Sequence, residues 1–168
     1  SEMCIRDRDK EMSETVHTAI TLALISGIIM AFVGLICAKP ALALMDTPDD
    51  VIDLSSVYMR IYFLGMPFFM LYNYGAAILR AVGDTKRPLI FLVISGIANT
   101  GLNLCFVIVF KFGVAGVAIG TVISQLISCV LVLRCLYMSE TSYQLRFSKL
   151  TIKAVSYTHL TLPTKLEV

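Results

Sequence analysis

Charged residues are scarce in this chain of 168 residues. Asp, Glu, Lys and Arg make up 15% of the sequence, whereas 57% of the residues are hydrophobic and the mean hydropathy is +0.81. A soluble domain has about a quarter of its residues charged. The net charge of +2 is also too small to suggest binding to nucleic acid. The composition therefore excludes a soluble protein, and we expect no nucleic-acid partner.

Four long segments carry almost no charge. Residues 18–38, 88–110 and 114–133 have none, and residues 57–79 contain only Arg60. A helix needs about 20 apolar residues to cross the core of a bilayer. We therefore predict an all-α, polytopic membrane protein with four transmembrane helices at about these four positions, surrounded by membrane lipid.

The segments outside these helices differ in character. We assign residues 9–137 to the membrane domain and residues 138–153 to a cytoplasmic connecting segment. Residues 1–8 and 154–168 share no pattern with the rest and resemble peptides translated from sequencing-adapter DNA. We expect both to be non-native tails on a natural segment whose gene continues on both sides. Two ordinary polar tails are the alternative.

The distribution of Lys and Arg predicts the orientation in the membrane. Eleven of them lie in the N-terminal segment, the loop 80–87 and the C-terminal segment, against only Lys39 and Lys111 in the two opposite connections. Cytoplasmic loops carry the excess of Lys and Arg. We therefore expect a multi-pass protein of the cell membrane with both ends cytoplasmic, and with the acidic loop 46–53 outside.

Prolines and glycines mark the expected ends and bends of these helices. Pro40 and Pro48 punctuate the first connection, since neither fits a helix interior. Pro67 lies in the middle of the second span, where it predicts a kink. Gly83 is suited to close one helix and Pro88 to open the next.

Acidic residues and histidines are absent from the four predicted spans. A proton relay through a bilayer normally uses such groups, so these helices supply no obvious proton-binding side chain. The five cysteines form no CxxC pair, and no Walker loop, metal-binding cluster or nucleophile with a base is present. We therefore predict that the protein is not an enzyme and holds no metal or cofactor.

Uncharged polar residues do occur near the middle of the spans. Ser95, Asn99 and Asn103 are spaced by four, which places them on one face of a helix. The short turn between the third and fourth spans brings both midpoints to a similar depth, so these residues converge with three polar residues of the fourth span: Thr121, Ser124 and Gln125. Two interpretations stay open, since such groups either hydrogen-bond between helices or line a water-filled cavity.

Two segments carry a resemblance to a known family. They are Ala76-Ala77-Ile78-Leu79-Arg80-Ala81-Val82-Gly83-Asp84-Thr85-Lys86-Arg87-Pro88 and Gly113-Val114-Ala115-Gly116-Val117-Ala118-Ile119-Gly120-Thr121-Val122-Ile123-Ser124-Gln125. Together with the pair Asn99 and Asn103, they resemble the multidrug and toxic compound extrusion (MATE) transporters. Members have twelve membrane helices in two bundles of six, and this chain is similar to helices three to six of the N-terminal bundle.

The resemblance implies a function and a set of site residues. Family members export organic cations or other amphipathic compounds in exchange for H⁺ or Na⁺. They do so by alternating access between the two bundles. The resemblance therefore implies that the missing remainder of the chain is a partner of these helices. The implied substrate and ion site is Asn73, Asn99, Asn103 and Thr121. Further cavity lining is expected from Ser95, Ser124, Gln125 and Tyr72, and the cytoplasmic loop motif is Arg80, Gly83, Asp84, Thr85, Lys86 and Pro88.

Two departures from the family pattern affect the coupling ion. Asn103 stands where some members have Asp, which weakens the case for proton binding here. It leaves open either Na⁺ coupling or an ion site elsewhere. Gly120 replaces the Ala commonly seen before the Thr of the site. Two other functions stay open as well: a flippase for polysaccharide or lipid intermediates from the same superfamily, and a small four-helix membrane scaffold.

Overall fold

The computed structural model describes residues 2–138, all of whose regular structure is helical. Its helices are α1 (Glu2–Leu44), α2 (Asp49–Leu64), α3 (Met66–Ala81), α4 (Lys86–Leu104) and α5 (Gly113–Met138), with a π-helical turn at Cys105–Val109 after α4. The all-α prediction is thereby confirmed. The predicted connecting segment beyond residue 138 and the tail at 154–168 lie outside the described residues.

Three of these helical segments are long and apolar enough to cross a membrane: Asp7–Leu44, Lys86–Val109 and Gly113–Met138. Together, α2 and α3 pass the same test as a bent pair, which gives a fourth crossing if the pair is one span and a re-entrant loop otherwise. The bend between α2 and α3 is 43°. Pro67 occupies the first turn of α3, so the kink expected from this proline is confirmed. The helix actually ends before it, at Leu64, with Gly65 between the two helices.

The ends of α1 differ from the prediction. The helix begins at Glu2, so it extends well beyond the predicted span 18–38 and includes residues 2–8. It also contains Pro40, which we expected to end it, and stops only at Leu44. Polar residues of mixed charge form a helix outside lipid as readily as apolar ones do within it. Hydropathy therefore marks the part of a helix that fits the bilayer, and a single proline near the end removes only one backbone hydrogen bond.

The packing places α5 at the centre of the described helices. It contacts α2, α3 and α4, while α1 packs against α2 and α3 on the other side. The buried cluster joins α1, α3 and α5 through Val16, Ile20, Ala23, Leu71, Leu79, Cys129, Val132 and Leu136. Large apolar side chains on α1 and α4 stay exposed, for example Ile36 at 73% and Ile97 at 70%. Such outward apolar faces suit helices that meet lipid or further helices.

Candidate functional site

Asn99 on α4 is the centre of a polar cluster between α4 and α5. Its side-chain amide donates to Ser124 Oγ at 2.9 Å and to Thr121 Oγ1 at 3.4 Å, both on α5. The side-chain oxygen of Asn99 accepts a hydrogen bond of 3.0 Å from Asn103 Nδ2, one turn further along α4. The structure therefore brings together the residues that the four-residue spacing and the short turn predicted to converge.

The hydroxyl groups of the cluster are oriented by their own helices. Thr121 Oγ1 donates to the carbonyl of Val117 at 2.9 Å, and Ser124 Oγ donates to the carbonyl of Thr121 at 2.7 Å. Because each hydroxyl proton is used within α5, the oxygen lone pairs face the amide of Asn99. This explains why an amide donor, rather than another hydroxyl, bridges to α4.

A cavity of about 340 Å³ lies beside this cluster. Its wall includes Asn99 and Thr121, and also all four residues that we expected as further lining: Ser95, Ser124, Gln125 and Tyr72. The wall is completed by four residues that were not among the predicted site residues: Phe69, Leu92, Gly96 and Ser128. Ser128 follows Ser124 by one turn of α5, so the spacing rule that selected Asn103 could also have found it.

Asn103 lies next to the cluster without lining the cavity. Its Oδ1 is buried and has no hydrogen-bond partner within the described residues. A Cβ atom on Gly120 of α5 would lie 2.3 Å from this oxygen, which is closer than real Cβ atoms come to anything. Gly120 is therefore the residue that lets the side chain of Asn103 fit between α4 and α5.

Asn73 occupies a different environment from the other predicted site residues. Its side-chain amide donates to the carbonyl of Phe69 at 2.7 Å, within its own helix α3. It is not part of the cavity wall, so the structure does not bring Asn73 to Asn99, Asn103 and Thr121.

Tyr72 connects the cavity to the start of α4. Its ring lines the cavity, and its hydroxyl donates to the carbonyl of Pro88 at 2.9 Å. This bond joins α3 to α4 across the loop between them, where these two helices otherwise have few contacts. The wall contributed by α3 is thereby held in place from the end predicted to be cytoplasmic.

The loop between α3 and α4 contains the motif residues predicted from sequence. Gly83 has φ +91°, a conformation that glycine adopts freely, and Asp84 N–H bonds back to the carbonyl of Leu79 at 2.9 Å. Asp84 then accepts a hydrogen bond from the backbone N–H of Arg87 at 3.1 Å and pairs with its side chain at 3.1 Å. Gly83 thus turns the chain after α3, and Asp84 accepts a hydrogen bond from a backbone N–H group of the first turn of α4. Arg80 lies in the last turn of α3, whereas Thr85 precedes α4 and Lys86 is its first residue.

The chemistry available at the site is that of neutral oxygen and amide groups. Two buried side-chain oxygens, Asn103 Oδ1 and Gln125 Oε1, have no partner in the part of the chain that the structure describes. Within the same residues, no group of three or more His, Cys, Asp or Glu side chains could hold a metal ion. The site can accept hydrogen bonds or coordinate a hard cation through amide and hydroxyl oxygens, but its lining has no group that titrates near neutral pH.

Comparison with known families identifies the chain. The MatE family model matches residues 6–107, which is more than half of the sequence. The protein belongs to the MatE family. The match covers α1 to α4, including Asn99 and Asn103, and confirms the resemblance that the loop motif and the glycine-rich segment indicated.

Similar proteins include two from Bacillus subtilis. The MatE chain is 34% identical over 122 residues to the probable multidrug resistance protein YpnP, covering 71% of this chain and 27% of YpnP. It is 32% identical over 145 residues to the probable multidrug resistance protein YoeA, covering 84% of this chain and 31% of YoeA. The chain thus spans about a third or less of the length of these relatives.

Its fold is also found in a solved structure. An inward-facing multidrug resistance MATE transporter of the MOP superfamily superposes with a TM-score of 0.77 at 22% sequence identity. The superposition covers 90% of this chain and 33% of that one. The helices described above therefore have the arrangement of part of a MATE transporter.

Proposed function

We propose that this MatE chain forms part of a secondary active multidrug efflux antiporter, in which the cavity between α3, α4 and α5 takes up the substrate. The observation that supports this proposal most directly is the position of Asn99, which bridges to Ser124 and Thr121 at the wall of a 340 Å³ cavity. Small-molecule sites commonly have volumes of about 300–1,000 Å³, with mostly apolar walls and a few placed polar groups.

The lining suits an organic cation or an amphipathic compound. Phe69 and Tyr72 contribute aromatic rings, whose faces attract cations, and the opposite wall carries amide and hydroxyl oxygens. The lining residues among those described include no charged side chain. This supports efflux over the alternative of a flippase for polysaccharide or lipid intermediates, because an anionic cargo calls for Lys or Arg in the cavity.

We propose that the coupling ion, H⁺ or Na⁺, uses the same region of the fold. The unpartnered oxygen of Asn103 belongs to the same amide group whose nitrogen donates to Asn99, and amide oxygens coordinate Na⁺ without any proton transfer. Coupling to H⁺ would need a titrating group outside the lining of this cavity, so the lining favours Na⁺. The cell membrane with both ends of the chain cytoplasmic remains our expected location, from the distribution of Lys and Arg.

The test is gradient-driven export by the full-length gene product in proteoliposomes. We expect ethidium to be exported when an inward Na⁺ gradient is imposed, and not in its absence. Export driven only by a pH gradient would assign the coupling to H⁺. Transport that requires no ion gradient, or no transport of ethidium together with transport of a lipid-linked sugar, would contradict the proposal.

A further inference from the structure

The break between α2 and α3 is held between two neighbouring helices. Gly65 forms the joint: its N–H donates to the carbonyl of Tyr62 at 3.0 Å and its own carbonyl accepts from the N–H of Phe69 at 3.1 Å. Pro67 lacks an N–H, so the helical ladder cannot close across residues 65–67, the segment that we call the break. The carbonyl of Phe63 therefore has no partner at residue 67, and Gly65 makes the backbone hydrogen bonds on both sides of the bend.

Both sides of the break are in close contact with other helices. A Cβ atom on Gly27 of α1 would lie 2.5 Å from Pro67 Cα. On the other side, a Cβ atom on Gly65 would lie 2.4 Å from Gln125 Oε1 of α5. Because α1 and α5 touch the break from two directions, any change in its angle must alter the contact between Gly65 and Gln125.

Gln125 contacts the break and also lines the cavity. It lines the cavity, yet its Oε1 is buried and has no hydrogen-bond partner in the described part of the chain. A buried acceptor without a donor is unfavourable, so an occupant that brings an N–H group into the cavity would draw this oxygen toward itself. The side chain would then leave Gly65.

The part of the cavity wall that α3 contributes is anchored to α4. Phe69 and Tyr72 line the cavity from α3, directly after the break. The hydroxyl of Tyr72 is bonded to the carbonyl of Pro88, which anchors α3 to α4. With α3 anchored in this way, a change at the break displaces α2 rather than the cavity wall.

We propose that Gln125 is a positioning residue that couples occupancy of the cavity to the angle between α2 and α3. An occupant with N–H donors takes the oxygen of Gln125, releases the contact to Gly65 and lets α2 swing relative to α5. This inference rests on the proposed function, since it requires a small cation in the cavity. It adds that only an occupant with N–H donors changes the angle between α2 and α3.

The test compares two small cations of equal charge. Phenylguanidine carries N–H donors, whereas phenyltrimethylammonium carries none. Spin labels at Leu54 on α2 and Val130 on α5, which are 56% and 53% exposed, report the position of α2 in the full-length gene product. Leu54 lies about 16 Å along the helix from Gly65, so each 10° change in the bend moves it by about 3 Å.

The expected result is a shift of the Leu54–Val130 distance with saturating phenylguanidine and none with phenyltrimethylammonium. The shift should be lost in Gln125→Met, which keeps the side-chain length without the acceptor, and kept in Gln125→Glu. Leu126→Ala, on the neighbouring and more exposed position of α5, should respond as the parent does.

Binding isotherms for both cations separate the possible failures. Bound phenylguanidine without a distance shift, or an equal shift in Gln125→Met, would overturn the coupling and leave the proposed function intact. If neither cation binds, both the proposed coupling through Gln125 and the proposed function of the cavity are contradicted.

Discussion

The replacement Gly120→Ala tests how tightly α4 and α5 fit at the polar cluster. The added Cβ atom would lie 2.3 Å from Asn103 Oδ1 and 3.3 Å from the backbone nitrogen of Asn103. The side chain of Asn103 must therefore move, and its 3.0 Å bond to Asn99 is the interaction that it loses.

The magnitude follows from three opposing effects. Overpacking at a tight contact costs about 1–3 kcal/mol. Loss of a hydrogen bond in a membrane interior adds about 0.6 kcal/mol. Alanine in place of glycine within a helix returns about 0.5–1 kcal/mol. We expect Gly120→Ala to lower the free energy of unfolding by about 1–3 kcal/mol.

A double-mutant cycle isolates the clash with Asn103 from other effects. In the Asn103→Ala background the colliding oxygen is gone, so Gly120→Ala should be neutral or should stabilise the protein by up to about 1 kcal/mol. Gly101→Ala is the matched control on α4, because nothing lies within 4 Å of a Cβ at Gly101. It should be neutral or stabilising in both backgrounds.

The assay is unfolding of the 168-residue chain in mixed micelles by titration with SDS, followed by circular dichroism. If Gly120→Ala changes the free energy of unfolding equally with and without the side chain of Asn103, the clash with Asn103 is not the cause of the change. A destabilising Gly101→Ala would show that glycine itself, rather than the contact with Asn103, matters on these helices.

The remaining predictions concern topology, coupling and packing. In a cysteine-free background on whole cells, a cysteine at Thr47 should react with an impermeant thiol reagent and one at Thr85 should not, because Lys and Arg favour the cytoplasmic side; the reverse pattern would invert the assignment. Asn103→Asp should keep export in proteoliposomes but make it pH-dependent, since a carboxylate titrates and an amide does not; a flat pH profile would contradict this. Tyr72→Phe removes the hydrogen bond to the carbonyl of Pro88 and should lower the free energy of unfolding by about 0.5–1.5 kcal/mol, measured by SDS titration. An unchanged free energy of unfolding would show that this hydrogen bond does not stabilise the protein.

The membrane-spanning segments could be predicted from sequence because burying charge in lipid is costly, so the spans contain almost no charged residues. Helix ends could not, since helix formation continues outside the bilayer: α1 extends from Glu2 to Leu44 although its charge-free part is residues 18–38. The kink near Pro67 was predictable from the missing N–H. Its exact position was not, because the joint lies two residues before the proline, at Gly65, where close contact with α5 leaves no room for a side chain.

The cluster around Asn99 was predictable for a different reason. Four-residue spacing and a short turn fix the relative placement of residues on two consecutive helices, so Asn103, Thr121 and Ser124 could be grouped with Asn99 from sequence. The side of the cavity formed by α3 depends on the bend between α2 and α3. Phe69 was therefore not among the predicted site residues, and Asn73 was expected at the cluster although its amide bonds within its own helix.

Transport by Asn99→Ala shows whether the polar cluster forms part of a transport site. The quantity to measure is export per folded molecule in proteoliposomes made from the full-length gene product. Thr100→Val is the matched control, because Thr100 is exposed on the same helix and donates only to the carbonyl of Gly96. If Asn99 shapes the substrate and ion site, Asn99→Ala should abolish gradient-driven export per folded molecule, although loss of its hydrogen bonds lowers the melting temperature. Thr100→Val should transport normally. Near-normal export by Asn99→Ala would show that the cluster only holds α4 and α5 together, and would contradict the account.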